Sequence, residues 1–185
     1  MRIISGTLKG KPIAFVKSAI TRPLKDSVKE NIFNIIAHSN LLDINLNKSN
    51  ILDLYSGVGS FGLECVSRGS DKVIFVERNK NAAEILNTNL LTLSIKDKAE
   101  VMNEKIIDFL NRKQLKKFNI FFLDPPFADN SFLEELKLIK KKKIYKNNHI
   151  VIIHRERKSS HNFNKIIDPI IIKKYGRSKI IFGKF

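Results

Sequence analysis

The chain has 185 residues, a length that fits one domain and allows a sizeable buried core. Its formal net charge of +16 and its isoelectric point near 10 favour a polyanionic partner such as a nucleic acid. We expect no membrane span and no secretory signal, and the single cysteine excludes an internal disulfide, so the composition favours the cytoplasm.

The positive charge is concentrated at the two ends of the chain. Residues 1–30 carry seven basic and two acidic side chains, and residues 151–185 carry nine and two. Two short apolar stretches near the start are separated by Gly6 and Gly10, which is typical of a hairpin or an extended arm. The sequence therefore predicts a basic β-hairpin arm over residues 1–20 and one larger domain over residues 21–185. The candidate contacts to a polyanion are Arg2, Lys9, Lys11, Arg22 and Arg177.

Between residues 51 and 154, short apolar strands alternate with helical patterns. The predicted helices span residues 23–37, 61–67, 79–93, 106–117 and 131–142. The predicted strands span residues 51–55, 72–77, 99–103, 119–123 and 149–154. Near-continuous apolar strands separated by helices indicate a parallel sheet covered on both faces. Strands over 166–175 and 178–182 flank the Gly176-Arg177 turn, which predicts an antiparallel hairpin at the edge of a seven-stranded α/β sheet.

A glycine-rich turn follows the first strand of this sheet. Gly57, Gly59 and Gly62 precede the next helix, where glycines let the backbone approach a ligand closely. Glu77 ends the second strand, a position at which an acid commonly binds ribose hydroxyls. The glycine spacing matches the dinucleotide fingerprint, so a nicotinamide enzyme is one alternative. Asp53, four residues before the first glycine, instead favours a ligand with a cationic amine, such as S-adenosylmethionine.

The fourth strand of the sheet ends in Asp124-Pro125-Pro126-Phe127. Prolines cannot donate ladder hydrogen bonds and have fixed φ angles, so the strand stops in a stiff turn. The carboxylate of Asp124 and a carbonyl of this turn can accept the hydrogens of an exocyclic amine, while the ring of Phe127 stacks on a planar base. The alternative is a rigid turn whose acid caps a helix.

These motifs together resemble one family. The matching segments are Arg2-Ile3-Ile4-Ser5-Gly6, Gly10-Lys11, residues 22–30, residues 53–59, residues 124–127 and Tyr175-Gly176. The chain resembles class I methyltransferases, and within them the RsmD family of small-subunit ribosomal RNA guanine-N2 methyltransferases, over nearly its whole length. The resemblance implies a Rossmann-like fold, S-adenosylmethionine as the methyl donor and the small ribosomal subunit as the partner.

The resemblance also implies roles for individual residues. The implied catalytic residues are Asp124, Pro125, Pro126 and Phe127. The implied cofactor contacts are Asp53, Tyr55, Gly57, Gly59, Glu77 and Asn103. Many relatives carry a small-acid pair near the adenine, whereas this chain has Asn103-Glu104-Lys105, so Asn103 or the following backbone is expected to meet the adenine.

Several alternatives remain open at this point. A DNA adenine-N6 methyltransferase shares the acid or amide before Pro-Pro-aromatic but usually carries a target-recognition domain, for which this chain is short. A protein glutamine-N5 methyltransferase usually has Asn in place of Asp124. A non-catalytic RNA-binding or ribosome assembly factor has no reason to retain the whole set of site residues.

No histidine spacing predicts a metal site. We therefore predict a monomeric enzyme that methylates the N2 amine of a guanine in 16S ribosomal RNA.

Overall fold

A computed structural model describes residues 1–15 and 24–185 of the chain, so the predicted contact Arg22 lies outside the described residues. The strands are β1 (Asn50–Leu54), β2 (Lys72–Val76), β3 (Ala99–Met102), β4 (Phe118–Leu123), β5 (Tyr145–Glu156), β6 (Asp168–Tyr175) and β7 (Ser178–Lys184). The helices are α1 (Asp26–His38), α2 (Ser60–Ser67), α3 (Lys80–Thr92), α4 (Ile106–Asn111) and α5 (Phe132–Lys142). Within these ranges, no helix is both long enough and apolar enough to cross a bilayer.

The seven strands form one sheet in the order β3-β2-β1-β4-β5-β7-β6. Strands β1 to β5 are parallel to one another. β7 runs antiparallel to β5, and β6 runs antiparallel to β7. The predicted fold class, a mostly parallel Rossmann-like sheet with an antiparallel C-terminal hairpin, is confirmed. The strand order reverses between β1 and β4, and ligands bind at the carboxyl ends of the strands at such a switch point.

Apolar side chains on both faces of the central strands explain this arrangement. β1 and β4 are buried along nearly their whole length, as expected of parallel strands covered by helices on both sides. On one face, the ring of Phe61 stacks on Phe122 at 4.0 Å between centroids and on Phe33 at 5.2 Å, which ties α2, β4 and α1 together. Burial of this α2 face fixes the position of the loop that precedes the helix.

Two elements differ from their predictions by four residues or more at one end. β5 begins at Tyr145, four residues before the predicted start, because Tyr145 pairs with Phe118 across an irregular register that shifts before Ile120. α4 ends at Asn111, where the N–H of Arg112 turns back to the carbonyl of Phe109, so the predicted helix to residue 117 is too long. Polar or basic residues fill both segments, and their sequence pattern alone does not mark these boundaries.

The N-terminal segment folds back on itself through one antiparallel bridge between Arg2 and Pro12. The N–H of Ile3 donates to the carbonyl of Lys11, and the N–H of Ile13 donates to that of Met1. Within residues 1–15 the hairpin consists of this single bridge, and Ile3 and Ile13 belong to the main hydrophobic core. The division into an arm and a larger domain stays a prediction.

Helix α2 holds this N-terminal segment through a buried acid. The carboxylate of Glu64 accepts the N–H groups of Ile4 at 2.8 Å and Ser5 at 2.9 Å, and it is fully buried. Gly6 has a φ of +85°, and a Cβ there would lie 2.0 Å from the carbonyl oxygen of Ser67. Only glycine fits this close approach between the two backbones.

Candidate active site

A cavity of about 700 Å³ opens at the carboxyl ends of the central strands. Its wall includes eight of the ten predicted catalytic and cofactor residues: Asp53, Tyr55, Gly57, Glu77, Asp124, Pro125, Pro126 and Phe127. The other two, the buried Gly59 and the exposed Asn103, do not line it. The fold therefore brings the glycine-rich loop and the Asp-Pro-Pro-Phe turn to the same cavity.

Glu77 fixes the glycine-rich loop. Its Oε2 accepts the N–H of Gly57 at 2.8 Å, and its Oε1 accepts the N–H of Asn79 at 2.7 Å. Asn103 donates its Nδ2 hydrogen to the backbone carbonyl of Glu77 at 2.8 Å. Asn103 thus holds the backbone of Glu77 in place. The neighbouring part of the cavity wall is formed by Lys105 and the residues that follow it.

The glycines of the loop are required for different local reasons. Gly57 has a φ of +55°, and a Cβ there would meet nothing within 4 Å, so this residue faces open space in the cavity. Gly59 has a φ of +87°, and a Cβ there would lie 2.4 Å from Cδ1 of Leu86. The structure gives Gly59 a packing reason, and its predicted contact with a cofactor stays a prediction.

Asp53 is a buried carboxylate on the cavity wall, with 1% of its surface exposed. Its Oδ2 accepts the N–H of Gly62 at 2.9 Å. Burial raises the pKa of Asp53, and the nearby carboxylates of Asp124 and Glu77 raise it further. Among the described residues, no lysine or arginine forms an ion pair with Asp53. A cationic ligand group would therefore stabilise its ionised form.

Tyr55 connects the glycine-rich loop to α5. Its hydroxyl donates to Oε2 of Glu135 at 2.8 Å and lies 3.3 Å from Oγ of Ser131. Burial raises the pKa of Tyr55, and burial also raises the pKa of Glu135 to about 7. Sequence reasoning missed Glu135, because an acid in the first turn of a helix normally indicates only a favourable interaction with the helix dipole.

His154 contacts the catalytic candidate directly. Its Nδ1 lies 2.8 Å from Oδ1 of Asp124, and its ring lies edge-on to the ring of Phe127 with the centroids 5.8 Å apart. Both His154 and Asp124 line the cavity. The sequence placed His154 at the end of a strand but gave no signal that it would pair with an acid thirty residues earlier.

Arg155 holds the Asp-Pro-Pro-Phe turn by its backbone. Its guanidinium donates to the carbonyl oxygens of Pro125 at 3.2 Å, Pro126 at 3.0 Å and Phe127 at 2.7 Å. The side chain is fully buried, and the guanidinium lies 4.7 Å from the ring centroid of Phe132. Burial lowers the pKa of Arg155, but an arginine stays charged in this setting. The carbonyls expected to accept an amine therefore each have one lone pair occupied.

The predicted basic contacts that the structure describes are exposed but lie in separate places. Arg2 follows Met1, which lines the cavity, whereas Lys9 lies in the turn that contacts the far end of α2 through Thr7 and Leu8. Arg177 lies in the turn between β6 and β7, at the edge of the sheet where β5 ends. Lys11 is also exposed. Two of these groups are thus close to the edge of the sheet that carries the cavity.

Curated relatives match this chain over most of its length. A protein from Haemophilus influenzae named ribosomal RNA small subunit methyltransferase D is 35% identical over 85% of this chain and 79% of its own length. A protein of the same name from Buchnera aphidicola (subsp. Baizongia pistaciae) is 33% identical over 98% of this chain and 88% of its own length. These values are high enough to indicate a shared family.

Solved structures share the fold. A Haemophilus influenzae protein provisionally described as a methylase superposes with a TM-score of 0.78 at 29% identity, covering 99% of this chain and 97% of that one. An RNA methyltransferase from Salinibacter ruber, solved with S-adenosyl-L-homocysteine, has a TM-score of 0.63 at 11% identity, covering 88% and 93%. The sequence profile of the family described as Conserved hypothetical protein 95 matches residues 1–184. The chain therefore belongs to this family, the RsmD family of ribosomal RNA methyltransferases.

Proposed function

We propose that this protein transfers a methyl group from S-adenosylmethionine to the exocyclic N2 amine of a guanine in small-subunit (16S) ribosomal RNA. The observation that carries the proposal is the position of Asp124, which lies on the same cavity as the glycine-rich loop and is followed by a rigid Pro-Pro-Phe turn. The names of the curated relatives support the ribosomal RNA of the small subunit as the substrate.

S-adenosylmethionine is the cofactor, and the donor half of the cavity (Asp53, Gly57 and Glu77) fits it. Asp53 is a buried carboxylate that a cationic amino-acid end would compensate, and Gly57 leaves open space for a ligand close to the backbone. Glu77 has a carboxylate already oriented by two N–H groups, with lone pairs left for ribose hydroxyls. When bound, the cofactor supplies an electrophilic methyl group on its sulfonium.

The acceptor half of the cavity (residues 124–127) orients the amine. An exocyclic amine is a poor nucleophile because its lone pair is delocalised into the ring. Asp124 accepts one of its hydrogens, and the second lone pair of the Pro125 carbonyl accepts the other, which favours sp³ character at nitrogen. Phe127 stacks on the extruded base. Alignment of the two reacting groups then accounts for much of the rate enhancement.

The charge of the cavity wall supports guanine over adenine. The edge of guanine presents the N1–H donor beside the N2 amine, whereas adenine presents the N1 acceptor beside its N6 amine. Beyond Asp124, the acceptor side of the cavity is lined by the acids Asp129, Glu134 and Glu135. A second acceptor near Asp124 would pair with N1–H of guanine and would repel the N1 lone pair of adenine.

Exposed basic groups would bind the rest of the substrate. Arg2 follows Met1 of the cavity wall and Arg177 lies in the turn between β6 and β7, and phosphate contacts from such groups position RNA without reading its sequence. The proposal includes a monomeric enzyme that acts on the small subunit in the cytoplasm. RNA binding by variants that lack these cations should depend less on salt concentration, and the difference from wild type measures the contribution of the cations to affinity.

The test is radiolabelled methyl transfer from S-adenosylmethionine to small ribosomal subunits and to free ribosomal RNA, both from cells that lack this protein. Digestion to nucleosides should place the label in N2-methylguanosine, and the better substrate identifies the natural form of the RNA. Label in N6-methyladenosine would favour an adenine methyltransferase. A protein that binds the donor but transfers no label to either substrate would be an assembly factor that retains the fold.

A further inference from the structure

We infer that His154 is a positioning residue for methyl transfer, which orients the carboxylate of Asp124 so that one defined oxygen faces the amine. The inference rests on the proposed function and concerns the same cavity. The Nδ1 atom of His154 lies 2.8 Å from Oδ1 of Asp124, a distance typical of a hydrogen bond that involves a charged group.

The chemistry of the pair fixes which atom donates. An ionised carboxylate carries lone pairs only, so Nδ1 of His154 must hold the hydrogen that is shared with Asp124. The Nε2 atom is buried and has no partner among the described residues. The geometry therefore places the shared hydrogen on Nδ1.

The surroundings hold the imidazole in place. His154 lies within β5, where it pairs with Ile180 of β7, and the preceding Ile153 pairs with Leu123 of β4. Its ring contacts the ring of Phe127 edge-on at 74°, and its side chain is 11% exposed. The adjacent Arg155 binds the three carbonyls of the same turn. The donor and the carboxylate that it orients are therefore parts of one rigid unit.

The consequence concerns the free oxygen of Asp124. A carboxylate without a fixed partner can present either oxygen over a range of angles. With one lone pair of Oδ1 bound to His154, Oδ2 is the oxygen with both lone pairs left for a hydrogen of the exocyclic amine, and its direction is set by the histidine. His154 thus acts on the reaction through Asp124. Loss of the donor should lower kcat and leave the affinity for S-adenosylmethionine unchanged.

The experiment compares His154→Asn with His154→Leu and His154→Gln. The amide nitrogen of Asn stands close to the position of Nδ1 and can donate to Asp124, whereas Leu has no donor and Gln carries its amide one bond further out. We expect His154→Leu and His154→Gln to lose at least tenfold in kcat, and His154→Asn to recover most of it. His149→Leu is the matched control, because His149 is a buried histidine five residues before His154 in β5 that bonds the carbonyl of Lys146.

A double-mutant cycle separates orientation from general loss of packing. In Asp124→Asn, the amide oxygen should turn to the Nδ1–H of His154, so that its NH₂ group faces the substrate amine and transfer is blocked. In the His154→Leu background the amide can turn round, and the added effect of Asp124→Asn should shrink at least fivefold. A merely structural role predicts that the two effects multiply.

Three results would overturn the inference. They are a kcat for His154→Leu within twofold of wild type, equal rates for the Asn and Gln variants, and effects in the double mutant that simply multiply. Affinity for S-adenosylmethionine, measured by calorimetry, reports whether each variant is folded. If His154→Leu does not bind the cofactor, the comparison of His154→Asn with His154→Gln remains as the test. Wild-type protein that transfers no methyl group to ribosomal RNA would overturn the proposed function together with this inference. Normal wild-type transfer with unchanged variants overturns only this inference.

Discussion

The two halves of the cavity are held in place in different ways. In the donor half, backbone N–H groups nine and twenty residues away bind the carboxylates of Asp53 and Glu77. In the acceptor half, the side chains of His154 and Arg155 reach back about thirty residues to hold the turn that contains Asp124. The first half is organised by one continuous stretch of chain, and the second half is organised by the pairing of β4 with β5.

This difference teaches what each half requires. The donor half depends on glycines and a helix N-terminus, so the loop forms once β1, α2 and β2 have packed. The acceptor half depends on a buried guanidinium and an imidazole, which reach the turn only when the sheet has its full register. Substitutions in the donor half should therefore change cofactor affinity, and substitutions in the acceptor half should change turnover and stability.

The largest effect should come from Asp124→Ala. The variant loses the main acceptor for the amine hydrogen, and groups of this kind contribute about 10²- to 10⁴-fold to a rate. We expect turnover to fall about a thousandfold while calorimetry gives a wild-type affinity for S-adenosylmethionine. Unchanged turnover would remove Asp124 from the catalytic assignment, and a parallel loss of cofactor affinity would show that the two halves are not separable.

Arg155→Met should have the next largest effect, on stability as well as on turnover. It leaves the carbonyls of residues 125–127 without their buried donor, and we expect a loss of about 3 kcal/mol of unfolding free energy, which is about 6–12 °C in Tm. Arg155→Lys is the matched variant, since an ammonium keeps the charge but cannot bridge three carbonyls in one plane. A Met variant as stable as wild type would contradict the role of Arg155.

Glu77→Gln should act on the donor half alone. The amide keeps one acceptor but points an NH₂ group at a backbone N–H, so either Gly57 or Asn79 loses its partner. We expect the dissociation constant for S-adenosylmethionine to rise about 10- to 100-fold, equivalent to about 1.4–2.7 kcal/mol. The kcat at saturating cofactor should change less than threefold. Glu84→Gln, at an exposed site on α3, is the control.

The smallest effect concerns Glu135, which joins the two halves through Tyr55. Burial raises the pKa of this carboxyl from 4.5 to about 7, so the folded protein keeps the proton at pH values where the unfolded chain has lost it. Unfolding free energy should therefore fall as the pH rises from about 4.5 to about 7, and this contribution should level off above pH 7. Urea melts of Glu135→Gln should lack this slope, and the exposed Glu134→Gln should keep it.

The meeting of Asp53, Gly57 and Glu77 at one cavity could be predicted because their signals are local. Gly57, Glu77 and the end of β1 lie in one stretch whose turn chemistry and apolar pattern are visible without any knowledge of the fold. The Asp-Pro-Pro-Phe turn was visible for the same reason. The parallel direction of the central strands followed from the alternation of strands and helices, since parallel strands need crossover connections.

The supports of the acceptor half could not be predicted from the sequence. Arg155 follows an apolar run and precedes Glu156, a pattern that normally indicates the exposed end of a strand. Its burial depends on the three carbonyls of a turn thirty residues earlier. The same holds for the start of β5, where polar residues pair with β4 only because the sheet supplies the partner. Contacts between distant strands carry no signal in the spacing of a single sequence.

The place of β7 has a consequence for synthesis of the protein. The strand that carries His154 and Arg155 has β4 on one side and β7 on the other, and Arg155 pairs with Lys179. A ribosome adds about 5–20 residues per second, so the nascent chain exposes one unpaired edge of β5 for about one to five seconds before Lys179 is made. Exposed edges of this kind invite pairing with other chains. The Asp-Pro-Pro-Phe turn thus gains its full support only after β7 has been synthesised.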